Sequence, residues 1–135
     1  MNAPPLRASR TWKAKFRDAF RGIAIAVRGS SSFAVHLIFA AVVIAAAVAL
    51  DLARLEWCIL CACIAAVLAA EALNSALESL ARAVSDQYHP RLRDALDMGS
   101  GAVLLAAIGA AAMGAMVFLP RLLALLERWW VAGGG

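Results

Sequence analysis

Three apolar runs constrain this chain more than anything else in it: Phe33 to Leu50, Trp57 to about Leu80, and Met98 to Leu119, with Pro120 as an expected stop. As helices, all three are long enough to cross hydrocarbon, which takes about 20 residues. Each is rich in Ala and dotted with Gly or Ser, so the helices can approach closely in lipid. Apolar residues make up 64% of the chain and charged ones only 16%, below the share usual in a soluble domain. The expectation is a single-domain, all-α membrane protein. A bundle this small hides its polar groups better by associating with copies of itself, so an oligomer is expected.

The basic residues orient the spans. Arg7, Arg10, Lys13, Lys15, Arg17, Arg21 and Arg28 precede the first span, and Arg82, Arg91 and Arg93 follow or close the second. The loop between the first two spans holds only Arg54, beside Asp51 and Glu56. By the positive-inside rule the N-terminus and the second loop are cytoplasmic and the C-terminus faces outward. The basic leader is not expected to be a signal peptide, since no cleavage-like site followed by a soluble domain succeeds the first run.

Residues 1–10 are read as a flexible N-terminus. Over 11–28, Trp12, Phe16, Ala19, Phe20, Ile23 and Val27 recur at helical spacing, with most cations on other faces. This predicts an amphipathic helix lying in the membrane surface, held by apolar burial and anionic lipid. Residues 120–135 are expected as an interfacial tail, with Trp129 and Trp130 in the aromatic belt. Cys58, Cys61 and Cys63 sit in an apolar span without a nearby His or a fourth ligand, and are read as packing residues.

The stretch "EALNSALESLAR", residues 71–82, breaks the apolar pattern. At about 100° per residue, taking Glu71 as zero, Glu78 falls near about −20°, Arg82 near about +20°, Asn74 near about −60° and Ser75 near about +40°. All five share one face, while Leu73, Leu77 and Leu80 keep the other side apolar. A carboxylate in lipid costs at least ~2.5 kcal/mol, so two on one face need a reason. One reason is structural: Glu78 pairs with Arg82 at i, i+4, and Glu71 is protonated or bonded to a neighbouring helix. The other is a site.

The third run offers a second wall. "DALDMGSG" puts Asp94, Asp97, Ser100 and Gly101 on a common face where the chain re-enters the membrane, with Asp97 expected in the first helical turn. Glu71, Glu78 and Asp97 together would form an acidic cluster at the cytoplasmic interface. Such a cluster suits a hard divalent cation carrying phosphates, since Mg²⁺ usually needs only one or two carboxylates.

"EALNSALE" followed by "SDQYHPRLRDALDMGSGAVL" resembles the signature of the prokaryotic diacylglycerol kinase family, small membrane enzymes that include diacylglycerol and undecaprenol kinases. The resemblance runs from about Phe16 to Leu119 and includes Gly22, Phe33, Glu71, Asn74, Ala76, Glu78, His89, Asp97, Ala102 and Val103. It implies a homotrimer in the bacterial inner membrane, with sites shared between subunits, that uses ATP with Mg²⁺ to phosphorylate a lipid alcohol. Glu71 then corresponds to the general base and Glu78 to a metal ligand at the nucleotide. Asp97 and the loop Gln87, Tyr88 and His89 belong to the nucleotide site; Asn74 holds the geometry and Ser100 lies toward the lipid. "LNSALE" and "DMGSGAVL" favour diacylglycerol, whereas the "YHP" loop reads more like the undecaprenol branch.

Three positions depart from that pattern. The family usually carries a second metal-binding Glu where this chain has Ser30, an Asp where it has Arg82, and a Lys where it has Leu96. One site loses an anion and gains a cation as another loses its cation, so Arg82 is read as reaching the phosphates in place of the Lys. The alternative is a non-catalytic member, a lipid-binding or assembly subunit. Nucleic acid is not an expected partner, because the net charge of +4 is concentrated beside the membrane. No inverted repeat suggests a transporter, and no Gly-rich Walker pattern is present.

Overall fold

The structure, a computed structural model, describes residues 11–85 and 87–133. The stretch 1–10, expected as a flexible N-terminus, lies outside the described residues. Four helices follow in order: α1 Trp12–Gly29, α2 Ser31–Ala49, α3 Arg54–Val84 and α4 Pro90–Gly133. The protein is all-α, and α2, α3 and α4 are each long and apolar enough to cross a membrane. The most extensive packing is between α3 and α4; α2 lies on α3, and α1 touches both α2 and α3.

Thr11 starts α1 as its N-cap, its hydroxyl accepting from Ala14 N–H at 3.4 Å. No residue of α1 is buried, and Trp12, Phe16, Phe20 and Ile23, spaced along one side, are all exposed. An amphipathic helix whose large apolar side chains stay exposed in this way has the form of one lying in the membrane interface. Ser30, in extended conformation, is the single residue separating α1 from α2. Its hydroxyl accepts from Phe33 N–H at 3.2 Å and so caps the new helix.

The C-terminus of α2 closes in a Schellman arrangement without glycine. Asp51 takes the left-handed conformation with φ 47°, which Asp tolerates better than most side chains. Its N–H donates to Val48 O at 3.2 Å, and Leu52 N–H donates to Ala47 O at 3.2 Å. Leu52 and Ala47 are buried in one cluster with Leu60 and Val117, against which Trp57 and Phe118 pack. The hydrophobic contact that usually accompanies such a cap thus becomes the core at this end of the bundle.

The third span was expected to stop at Pro120, but α4 continues through it to Gly133. Proline removes the N–H that would bond the carbonyl of residue 116 and crowds that turn, so the continuation needs support. Arg121, the next residue, provides an anchor: its Nη1 donates to Leu50 O at 2.8 Å and Asp51 O at 2.9 Å, and its guanidinium also meets Glu56. The carboxylate of Glu56 in turn accepts from Ala53 N–H at 2.6 Å, at the start of α3. One side chain therefore joins the end of α2, the start of α3 and the middle of α4. Arg121→Ala is expected to lower the thermal midpoint in detergent by several degrees while leaving the helical content unchanged. An unchanged midpoint would mean that the carbonyls at 50 and 51 are satisfied without it.

Candidate functional site

The polar face expected on residues 71–82 forms at the other half of α3, and burial grades along it. Glu71 is 2% exposed and Asn74 7%, Glu78 is half-buried, and Arg82 is exposed. Glu71 is the fully buried carboxylate among the described residues. Burying it is tolerable because its neighbours at the N-cap and in the second turn of α2 are polar. Ser30 Oγ donates to Glu71 Oε1 at 3.0 Å, and His36 Nε2 stands 4.0 Å from Oε2. The structural alternative, a bond from Glu71 to a neighbouring helix, is therefore realised, and its donor is one of the three residues that depart from the family pattern.

One turn further on, Asn74 Nδ2 donates to Glu78 Oε1 at 3.1 Å. The other oxygen of Glu78 lies 3.9 Å from Arg82 Nη1, so the i, i+4 pair is also formed. Asn74 Oδ1 and Ser75 Oγ are buried and have no hydrogen-bond partner among the described residues. Asn74 faces α4 at Gly99, where an added Cβ would lie 2.6 Å from Asn74 Oδ1 and 3.0 Å from Leu77 Cδ1. Glycine is required here by close approach, and it lets α3 and α4 meet beside the polar face.

The second wall is placed differently from the sequence expectation. α4 begins at Pro90, not near Met98, with His89 O accepting from Leu92 and Arg93 N–H at 3.0 and 3.1 Å. Proline suits the first helical position, where its missing N–H is unneeded. Asp97 is consequently about two turns inside the helix rather than in its first turn. It is exposed and lies 3.6 Å from Arg93 Nε. The acidic cluster of Glu71, Glu78 and Asp97 does not assemble within one subunit: among the described residues no group of three His, Cys, Asp or Glu side chains is placed to hold a metal. Each carboxylate has its own neighbour, and Glu71 and Glu78 are about 10 Å apart along α3 by helical rise.

Gln87, Tyr88 and His89 are exposed in the loop joining α3 to α4, which Ser85 tightens by accepting from Gln87 N–H at 3.0 Å. Ser100 is exposed on α4, and Leu96 is half-buried. The three cysteines are free. Sequence reasoning missed His36, Gly99 and the bond made by Ser30. A histidine inside an apolar run is the one signal that could have pointed to the first of these.

A divalent cation fits one carboxylate better than a protein cage here. Glu78 is half-exposed towards the C-terminal end of α3, and a single such ligand is enough for Mg²⁺ when phosphate oxygens supply the rest.

Fold and site together define a small helical membrane protein with a polar, ionisable face at one end of its central span. The prokaryotic diacylglycerol kinase family model matches residues 17–118, and the chain belongs to that family. It is 38% identical to a diacylglycerol kinase of Synechocystis over 82% of this chain and 64% of the relative's length. It is 32% identical to an undecaprenol kinase of Bacillus subtilis over 79% of this chain and 87% of that protein. A diacylglycerol kinase of Pseudomonas aeruginosa is 36% identical over 63% of this chain and 69% of its own length. The chain thus covers a little under two thirds of the Synechocystis relative.

Proposed function

We propose that this protein is a lipid kinase that transfers the γ-phosphoryl group of ATP to a membrane alcohol at the cytoplasmic surface of a bacterial inner membrane. The supporting observation is a buried carboxylate, Glu71, on a face that becomes progressively exposed through Glu78 to Arg82. Such a gradient suits a substrate that comes from lipid and a second one that comes from water. Phosphoryl transfer asks the protein chiefly for positioning and charge neutralisation, so a short polar face can suffice.

In this reading Glu71 accepts the hydroxyl proton, as a base within reach of the alcohol. Asn74 fixes Glu78 through its amide and lines the approach to the base. Glu78 would hold Mg²⁺ with ATP, and the ion would neutralise phosphate charge. Arg82, exposed one turn beyond Glu78, reaches the phosphates in place of the cation missing at Leu96. Gln87, Tyr88, His89 and Asp97 contact the nucleotide, and Ser100 lies toward the lipid. The functional unit is a homotrimer with its N-terminus and second loop cytoplasmic and its C-terminus outside; residues 11–119 form the kinase domain and 120–135 an interfacial extension.

Diacylglycerol is the favoured substrate. Undecaprenol is the second reading, supported by the Bacillus relative, of which the chain covers 87%. Transfer of labelled phosphate to each lipid in mixed micelles, with ATP and Mg²⁺, decides between them. No transfer from a folded, trimeric protein would instead favour a non-catalytic subunit, with Ser30, Arg82 and Leu96 as the cause. Arg82→Ala is expected to abolish measurable transfer, a loss on the order of 10²-fold or more, with trimer assembly intact. Normal turnover in that variant would refute the role given to Arg82.

A further inference from the structure

The two oxygens of Glu71 are not equivalent, and the difference has a chemical direction. The Ser30 hydroxyl has a single proton to give. Because Ser30 Oγ already accepts from Phe33 N–H at 3.2 Å, that proton is directed at Glu71 Oε1, 3.0 Å away. Oε1 thereby already accepts one hydrogen bond, whereas Oε2 accepts none among the described residues and is the freer of the two oxygens. Oε2 faces His36 Nε2 at 4.0 Å, a separation that one bridging water or a small rotation closes to a hydrogen bond.

A base that is 2% exposed cannot return its proton directly to bulk water. His36 is less buried than Glu71, with 22% of its side chain exposed within one subunit, and it also lines a chiefly apolar cavity of about 460 Å³ between α2, α3 and α4. Among the described residues, Glu71 faces His36 and Cys63 lines the cavity with it, both from α3; the α4 lining is Ala107, Ala110, Ala111, Gly114 and Phe118. Imidazole is suited to such a step because it changes charge near neutral pH.

We propose that His36 receives the proton that Glu71 takes from the alcohol, and that Ser30 is the positioning residue that reserves Oε2 for this transfer. The proposal rests on the reading of Glu71 as the base. The alcohol O–H bond breaks and its proton goes to Glu71 Oε2. The alcohol oxygen bonds to the γ-phosphorus, and the bond from that phosphorus to the β,γ-bridging oxygen breaks, so that ADP leaves with the electron pair. The proton then passes from Oε2 to Nε2 of the neutral imidazole, which restores the carboxylate, and the imidazolium releases it to water.

The test uses the full chain in mixed micelles with ATP, Mg²⁺ and the lipid alcohol, comparing wild type with Ser30→Ala, His36→Ala and Glu71→Gln across the pH range in which imidazole titrates. His36→Ala is expected to lower kcat on the order of tenfold or more with little change in KM, to lose the acidic limb of the pH profile, and to regain rate when free imidazole is added. Ser30→Ala is expected to lower kcat without rescue by imidazole. In parallel, nitrogen NMR of the His36 ring should show a titration that moves in Glu71→Gln, a readout that needs no turnover. An unmoved titration overturns the pairing, and a folded His36→Ala that keeps wild-type rate and profile, or ignores imidazole, overturns the relay. If Glu71→Gln loses transfer while His36→Ala keeps it, only this proposal fails. If Glu71→Gln also keeps it, Glu71 is not the base and both readings fall.

Discussion

Glu71→Gln is expected to reduce phosphoryl transfer about 10³-fold while leaving the fold and its thermal midpoint close to wild type. The amide oxygen of Gln can still accept from Ser30 Oγ, which lies 3.0 Å from Glu71 Oε1, so the contact between α3 and the start of α2 survives. What disappears is the ability to take a proton, a term that contributes on the order of 10² to 10⁴ in rate. Initial rates in mixed micelles and a melting curve on the same preparation check the two halves separately. A variant that keeps its rate would leave Glu71 as a structural carboxylate. One that loses its fold would show that the charge itself holds α2 on α3.

Gly99→Ala is expected to have the next largest effect, and it should act on stability and rate together. Its new methyl group would stand 2.6 Å from Asn74 Oδ1, well inside contact distance. Asn74 is buried, so yielding means turning the amide, and turning the amide breaks its 3.1 Å bond to Glu78. Overpacking of this kind costs about 1–3 kcal/mol, and displacing Asn74 should lower kcat on the order of tenfold as the geometry between Glu71 and Glu78 is lost. Gly101→Ala is the control, since nothing lies within 4 Å of the corresponding position there. The double variant Gly99→Ala with Asn74→Ala should recover stability but not turnover. Gly99→Ala melting and turning over like wild type would show that the close approach is unimportant.

The helical content, the spans and the polar side of α3 were legible in the sequence because each depends on one helix at a time. Glu71, Asn74, Glu78 and Arg82 fall on one face by the angular rule alone, and the i, i+4 pair between Glu78 and Arg82 follows from the same spacing. Two local signals were misread. Pro120 looked like a stop because the sequence does not show that Arg121 is tied to the carbonyls of Leu50 and Asp51. Pro90 opens α4 earlier than the apolar pattern does, which moves Asp97 away from the helix end and into an exposed pair with Arg93.

The sequence by itself settled what lipid and a single helix impose: three apolar runs long enough to cross, a basic N-terminal segment, and a face of α3 too polar to meet hydrocarbon. These follow from transfer free energy and helical geometry, which act over a few residues. Only the tertiary structure decided that Ser30 points its hydroxyl at Glu71, that His36 stands at the other oxygen, and that Gly99 lets α4 close on Asn74. Ser30 and Glu71 are separated by 41 residues, and Arg121 and Glu56 by 65. Contacts at that range depend on how helices cross and how deeply their side chains interlock, and no periodicity within one segment carries that information.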